Sequence, residues 1–534
     1  MSKKNEIIRK FIAVIVSTFI ITHLTALSQE KNQYEFGGQV STSMILECSQ
    51  ANEIKKINGG TISSSVVDNV VNELMDSAHV TGLCLAILNE NELVYLKTFG
   101  YRNKKKDEAL DENSIILGAS FSKVVFTYVV MQLIQEKVLE IDKPLYTYLD
   151  KPLPEYHDYK VLATDDQWKL LTARTCLSHT TGFPNNPASG LKIFFEPGTH
   201  YAYSGEGISL LQFVVEHVTK KELEELAVDR VFKPLSMNRT SYIWQERFED
   251  NFAVGHDIIE FPIENFGKFT RAIAGGSLLT TIADYAKFVE AIMQRKGLDE
   301  YTWNEMLSPS IRIKSKHQFP TFSSEKTDQY DSIELSYGLG WGLFKSPYGK
   351  AFFKEGHGPG WQNYNVNFID QKISIIIMTN SDNGERIFKD LLEKVIGDTY
   401  TPWEWEGYIP YYLIEPISIG RYLYDINLFQ GIDKAIETYK RISKSFSKDS
   451  FVFNEDQLNG LGYQMIRENK IEAAIKLFKL NVEEYPESAN AHDSLGEAYM
   501  KNGQIDLAIK NYEKSLELNP DNENARKMLN KLKH

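Results

Sequence analysis

Hydrophobic positions along this chain follow several distinct rhythms. From Val66 to Met75 they return at helical spacing. Two apolar runs come next, Leu83 to Leu88 and Leu93 to Phe99, parted by Asn89-Glu90-Asn91, which predicts a β-hairpin. From Ser120 to about Val138 almost every position is apolar, so the spacing predicts a helix enclosed by protein on all sides. Strand-like runs return at Val366 to Ile369 and Ser374 to Met378. Strands that flank a helical interior in sequence predict an α+β domain over 64–398.

After that domain the rhythm changes to a repeat of 34 residues. Gly462 matches Gly496, Ala474 matches Ala508, Ile475 matches Ile509 and Pro486 matches Pro520. A period of this length means stacked helical hairpins. The small and turn residues at these positions resemble the tetratricopeptide repeat, which implies an all-α tail over 449–534. Residues 399–448 read as a linker with a degenerate third copy at Asp433 to Tyr439. Such a tail serves either as a buttress for the first domain or as a groove for a protein partner.

Charge and composition narrow the function. A 534-residue chain with 42% hydrophobic residues supports two folded regions, and a net charge of -13 argues against nucleic-acid binding. Lys3, Lys4, Arg9 and Lys10 precede an apolar stretch from Phe11 to about Leu27, with Ala26 and Ser28 at its end, the pattern of a secretory signal over 1–28. The expectation is an exported protein, periplasmic or released, without a membrane span after cleavage; an uncleaved anchor is the alternative. Residues 29–63 lack periodicity and read as a flexible lead-in. Cys48, Cys84 and Cys176 have neither the number nor the spacing of a disulfide framework or a zinc site, and no metal or other cofactor is expected.

The chemistry concentrates at Ser120-Phe121-Ser122-Lys123. On a helix this spacing sets a hydroxyl and an amine on one face. A serine hydroxyl needs a base, and a lysine whose pKa is lowered by burial supplies one. The spacing alone is weak, since Ser28/Lys31, Ser189/Lys192, Ser323/Lys326 and Ser445/Lys448 share it. Only the Ser120 copy opens a long apolar helix. A Gly-x-Ser-x-Gly elbow, which an α/β-hydrolase would need, is not present.

These residues, with four further segments, resemble the serine β-lactamase and penicillin-binding-protein superfamily, in its branch of class C enzymes, D-amino-acid peptidases and esterases. The resemblance implies a β-lactamase-like fold, an antiparallel sheet flanked by helices with a helical region. It implies a serine hydrolase that forms an acyl-enzyme on an ester, amide or lactam, with a small molecule or peptide as substrate. Ser120 and Lys123 match its Ser-x-x-Lys motif. Tyr203-Ser204-Gly205, shortly after Pro197-Gly198, matches Tyr-x-Asn, with Tyr203 as acid/base and Gly205 where the family has Asn. That glycine removes a carboxamide which would hold a substrate carbonyl, and it appears as open space for a bulkier acyl group. Gly356-His357-Gly358-Pro359-Gly360 resembles the third motif, Lys-Thr-Gly or His-x-Gly, with His357 at its first position and Pro359 where the family has glycine. This alignment puts His357 at the substrate and gives Gly360, one residue beyond the motif, the second oxyanion N–H after that of Ser120. Leu177-Ser178-His179-Thr180-Thr181-Gly182 and Ala274-Gly275-Gly276-Ser277 resemble two family turns, and His179 reads as a loop-fixing residue. A non-catalytic sensor that works through its repeats is the competing class.

Overall fold

The computed structural model describes residues 52–185, 190–263, 266–323, 325–413, 417–444 and 451–533. The expected signal segment, with its expected cleavage site, and Cys48 lie outside the described residues.

Thirteen strands build the first domain: β1 (Glu53–Lys55), β2 (Thr61–Ser63), β3 (Gly82–Asn89), β4 (Glu92–Asn103), β5 (Glu108–Ala109), β6 (Ile116–Ala119), β7 (Leu278–Thr280), β8 (Ile311–Arg312), β9 (Ser336–Tyr337), β10 (Gly342–Ser346), β11 (Gly349–Gly358), β12 (Trp361–Phe368) and β13 (Ile373–Thr379). Nine of them form one antiparallel sheet in the order β5-β4-β3-β13-β12-β11-β10-β9-β8. The predicted hairpin is β3–β4, and β13 joins the amino-terminal pair to the carboxy-terminal strands.

Helices cover both faces of this sheet. The longer ones of the first domain are α1 (Ser64–Ala78), α2 (Phe121–Gln135), α3 (Gly205–Thr219), α4 (Ile282–Met293) and α5 (Phe388–Val395). Strand parity decides which core each side chain joins, because successive residues point to opposite faces. Cys84, Ala86, Leu88, Phe352, Ile376 and Met378 enter the core built around α2 and α4. Leu83, Leu85, Ile87, Phe353, Ile375 and Ile377 enter the core under α1 and α5. Helix α2 is buried on nearly every side, as its all-round apolar sequence requires, and burial of each such side chain contributes about 1.5–3 kcal/mol.

The lead-in is shorter than the sequence implies. Folded structure is present by β1, where Ile54 and Ile57 are buried in the α1/α5 core and Ile57 N–H donates to Ile396 O at 3.0 Å. Two anchoring isoleucines are too few to produce a periodic signal.

The tail consists of α6 (Ile419–Gln430), α7 (Ile432–Ile442), α8 (Glu455–Arg467), α9 (Ile471–Glu484), α10 (Ala489–Lys501), α11 (Ile505–Leu518) and α12 (Glu523–Lys533). The repeat's glycines mark where paired helices touch. A Cβ on Gly462 would lie 2.4 Å from the Phe478 ring, and one on Gly496 would lie 3.1 Å from Tyr512. The degenerate copy forms the pair α6–α7, whose Ile419, Leu423, Ala435 and Tyr439 share one core with the repeats. That segment is therefore part of the helical array and not a linker. First domain and tail lie within one compact unit.

Candidate active site

Strand β6 delivers Ser120 to the start of α2. Ala119, at φ 47°, makes the sharp turn between strand and helix, and Ser120 caps the helix. Ser122 fixes this turn by donating to Ala119 O at 2.5 Å and accepting from Leu278 N–H at 2.9 Å. One turn into the helix, Lys123 Nζ lies 2.9 Å from Ser120 Oγ and donates to Gly275 O at 2.6 Å. Gly275 belongs to the Ala274–Ser277 turn, which Gln212 of α3 anchors by accepting from Ala274 N–H at 2.8 Å.

Lys123 is 4% exposed and its hydrogen bonds go to neutral oxygens. Burial pushes its pKa down and the Lys354 ammonium pushes the same way, while Tyr203 and Glu355 oppose, and the net direction is down. A lysine in this state is competent to accept a proton from the serine.

Tyr203 stands before Ser204, which caps α3 by accepting from Gly207 N–H at 2.9 Å. The Tyr203 ring centroid is 5.1 Å from Lys123 Nζ and 5.0 Å from Lys354 Nζ, and Lys354 Nζ donates to its hydroxyl at 3.3 Å. Burial raises the phenol pKa, but the two ammonium groups more than offset it and the net direction is down. His179 stacks on Tyr203 at 4.2 Å, and its Nδ1 accepts from Ser204 N–H at 3.2 Å. Burial first, then Lys354 and Lys123, hold the imidazole well below its ordinary pKa, so it is a neutral brace for the tyrosine loop.

Lys354 joins this cluster, and motif reading did not single it out. It is fully buried on β11, paired with Glu355 at 2.8 Å, and its pKa is raised: burial lowers it, but Glu355 and Tyr203 outweigh that. Lys354-Glu355-Gly356 is itself a Lys-x-Gly, three residues before the segment that resembles His-x-Gly. Parity separates the two. Lys354, Gly356 and Gly358 share the face of Phe352, toward α2, and a Cβ on Gly356 would lie 2.5 Å from Gly118 O.

Three of the six expected positions are placed differently. The His357 side chain shares the face of Phe353, toward α5, and pairs with Glu385 at 3.3 Å. Gly360 N–H donates to Asp382 Oδ1 at 2.6 Å, and Gly360 packs on Gly255 and Ile263 in the β11–β12 turn, so that N–H is already committed. Gly205 does not border open space: a Cβ there would lie 2.5 Å from Asn185 O, and Gly205 N–H donates to Asn185 Oδ1 at 3.0 Å. Ser120, Lys123 and Tyr203 do converge, with Lys354 as the fourth member. Among the described residues no His, Cys, Asp and Glu cluster suits a metal ion.

Residues 67–396 match the Beta-lactamase family, more than half of the chain. The chain belongs to the β-lactamase family. Residues 489–522 match the tetratricopeptide repeat. Penicillin-binding protein 4* of Bacillus subtilis (strain 168) is 23% identical over 331 residues, 54% of this chain and 66% of that protein. Protein flp of Staphylococcus aureus (strain MW2) is 20% identical over 221 residues, 38% of this chain and 42% of that protein. The matches thus span less than two thirds of these curated relatives' own lengths. Among solved structures, the chain is similar to the octameric penicillin-binding protein homologue from Pyrococcus abyssi, with TM-score 0.48 and 20% identity over 60% of this chain and 74% of that one. It is also similar to the D-alanine carboxypeptidase AmpC from Burkholderia cenocepacia, with TM-score 0.49 and 16% identity over 60% and 93%. Homology to this family points to serine hydrolase chemistry. No helix among the described residues is long and apolar enough to cross a membrane.

Proposed function

We propose that this protein is an exported serine hydrolase whose Ser120 attacks a carbonyl to form an acyl-enzyme that water then releases. The observation that carries the reading is the 2.9 Å contact between Ser120 Oγ and Lys123 Nζ, in a cluster that Tyr203 and Lys354 complete. Lys123 takes the hydroxyl proton. Tyr203 passes it to the leaving group, and Lys354 supplies the fixed positive charge that keeps the phenol acidic. The oxyanion rests on the N–H groups of Ser120 and His357. His357 now follows the Lys354–Gly356 motif directly, and β10 pairs only with residues 349–353, so it leaves this stretch of β11 uncovered.

The substrate in this reading is a small activated ester in preference to a cephalosporin, because position 205 carries no carboxamide to hold an amide carbonyl. One observation favours a second reading, an amide such as a D-amino-acid peptide: Asn185 sets a carboxamide beside Gly205, with its oxygen held by Gly205 N–H. The ratio of kcat/KM for a p-nitrophenyl ester and a chromogenic cephalosporin, measured on wild type and Asn185→Ala, separates them. A ratio well above one that is insensitive to Asn185 supports the ester reading. A strong cephalosporin preference that Asn185→Ala removes overturns it.

The repeats act in this account as a buttress. Arg441 of α7 pairs with Asp257 and lies 4.2 Å over the Phe261 ring, while Ile258 and Ile259 pack on the core of the tail. Ending the chain at residue 448 strips α8–α12 from that core, and the expected result is aggregation or loss of ester hydrolysis. A truncated enzyme with full activity and unchanged melting would instead make the repeats an independent partner-binding unit.

A further inference from the structure

Among the described residues, two rings pack on Tyr203. His179 lies 4.2 Å away and is fully buried. Phe319 packs edge-on, its ring centroid 5.6 Å from that of Tyr203, and it is 45% exposed. Phe319 is thus the ring through which this edge of the cluster meets solvent.

The segment that carries Phe319 is pinned to the cluster from behind. Gln318 is buried, its N–H donates to Trp405 O at 2.7 Å, and its Nε2 donates at 2.9 Å to Glu355, the carboxylate that pairs with Lys354. Just beyond, Ser323 N–H donates to Pro320 O at 3.1 Å and turns the chain. This turn sets Phe322 against Phe194 with ring centroids 4.3 Å apart, and these two rings are 39% and 46% exposed. They border a cavity of about 590 Å³, together with Phe195 and Tyr201. Three residues of chain span at most about 11 Å, so the second pair starts within that reach of Phe319.

A single exposed hydrophobic side chain is ordinary. Three phenylalanines on two segments, one of them packed on a tyrosine of the candidate site, form a patch of the kind that marks a binding surface. Two cations that line the cavity are already paired, Arg312 with Glu334 at 2.7 Å and Lys314 with Asp328 at 3.0 Å. The exposed chemistry is therefore that of the rings, and rings favour an aromatic partner because edge and offset packing adds to the burial of apolar area.

We propose that Phe319, extended by the Phe194–Phe322 pair, is a platform that holds an aromatic leaving group, so that aryl esters are the preferred substrates. This rests on the serine-hydrolase reading, in which Tyr203 hands its proton to the leaving group and so has that group beside the ring on which Phe319 packs.

The test measures kcat/KM for phenyl acetate and 2-naphthyl acetate on the full chain as wild type, Phe319→Ala, Phe319→Tyr and Phe322→Ala. Each naphthyl-to-phenyl ratio is compared with that of wild type, which cancels the intrinsic reactivity of the two esters. Phe319→Ala should lower the ratio about three- to tenfold and Phe322→Ala about twofold, whereas Phe319→Tyr, which keeps a ring, should hold it within about twofold. A second pair, p-nitrophenyl acetate and p-nitrophenyl phenylacetate, carries the extra ring on the acyl side, and its ratio should stay within about twofold in every variant. An equal loss on both aryl acetates in Phe319→Ala would make Phe319 only a brace for Tyr203 and overturn the proposal, as would a change confined to the phenylacetate pair. Fluorophosphonate labelling of the wild type separates the two levels of the argument. An unlabelled Ser120 would overturn the hydrolase reading and the platform with it, while a labelled Ser120 with an unmoved naphthyl ratio would overturn the platform alone.

Discussion

Helix α2 and strand β11, the two walls of the candidate site, each bury a lysine, and they treat it in opposite ways. On the α2 wall Lys123 donates to the Ser120 hydroxyl and a backbone carbonyl, with Tyr203 beside it, and its pKa falls. On the β11 wall Lys354 meets Glu355 at 2.8 Å, and its pKa rises. Burial is equal in direction on both sides, so the carboxylate makes the difference. The two lysines are pushed in opposite directions, with Tyr203 between them, and their partners make the difference rather than their identity.

The first way to break this comparison is to remove the base wall. Ser120→Ala and Lys123→Ala should each lower kcat about 10⁴–10⁶-fold, with the double variant scarcely worse, because residues that act as one unit are not additive. Additive losses in single-turnover kinetics would contradict the shared role.

The cation wall should matter less and leave a different signature. Lys354→Met is expected to cost about 10²–10³-fold. Lys354 lowers the pKa of both Lys123 and Tyr203, so its removal raises both, and activity that depends on their deprotonated forms must then rise at higher pH. The acid limb of kcat/KM against pH should therefore move up. A loss of rate with an unmoved profile would assign Lys354 to substrate binding alone.

Strand parity sharpens the comparison further along β11. His357→Ala should stay within about tenfold of wild type, since its side chain faces Glu385, whereas His357→Pro removes the backbone donor and should cost about 10²-fold or more. Thermal melts of both variants separate a catalytic loss from an unfolded strand. Equal effects of the two substitutions would remove His357 N–H from the oxyanion site.

The smallest effect lies in the tail. Gly462→Ala forces a methyl group against Phe478 and should destabilise the helical array by about 1–3 kcal/mol, visible as a lower denaturant midpoint, while ester hydrolysis in buffer stays unchanged.

Much of this was legible in the sequence where local pattern and chemistry coincide. The all-round apolar run after Ser120 is the buried helix α2, and the 34-residue period is a helical array. Ser120, Lys123 and Tyr203, which the fold brings together, sit at element boundaries that the pattern marks. Lys354 was missed for a physical reason. Two adjacent candidates, one starting at Lys354 and one at His357, lie three residues apart, and an odd offset exchanges the two faces of the strand. Fixing β11 by Phe352 and Phe353, one to each core, would have chosen Lys354. The contacts that close off Gly205 and Gly360, with Asn185 and Asp382, come from segments about 20 residues away whose return no periodicity encodes. The β1–β2 hairpin was hidden because it is fixed by Ile54 and Ile57 alone.

The central claim is that Ser120 is a nucleophile activated by Lys123, and covalent labelling tests it most directly. Intact-mass and peptide-map spectrometry after exposure to a fluorophosphonate should show one adduct per chain on the peptide containing Ser120, formed orders of magnitude more slowly in Lys123→Ala. An unmodified chain, an adduct on another residue, or labelling at the wild-type rate without Lys123 would contradict the account.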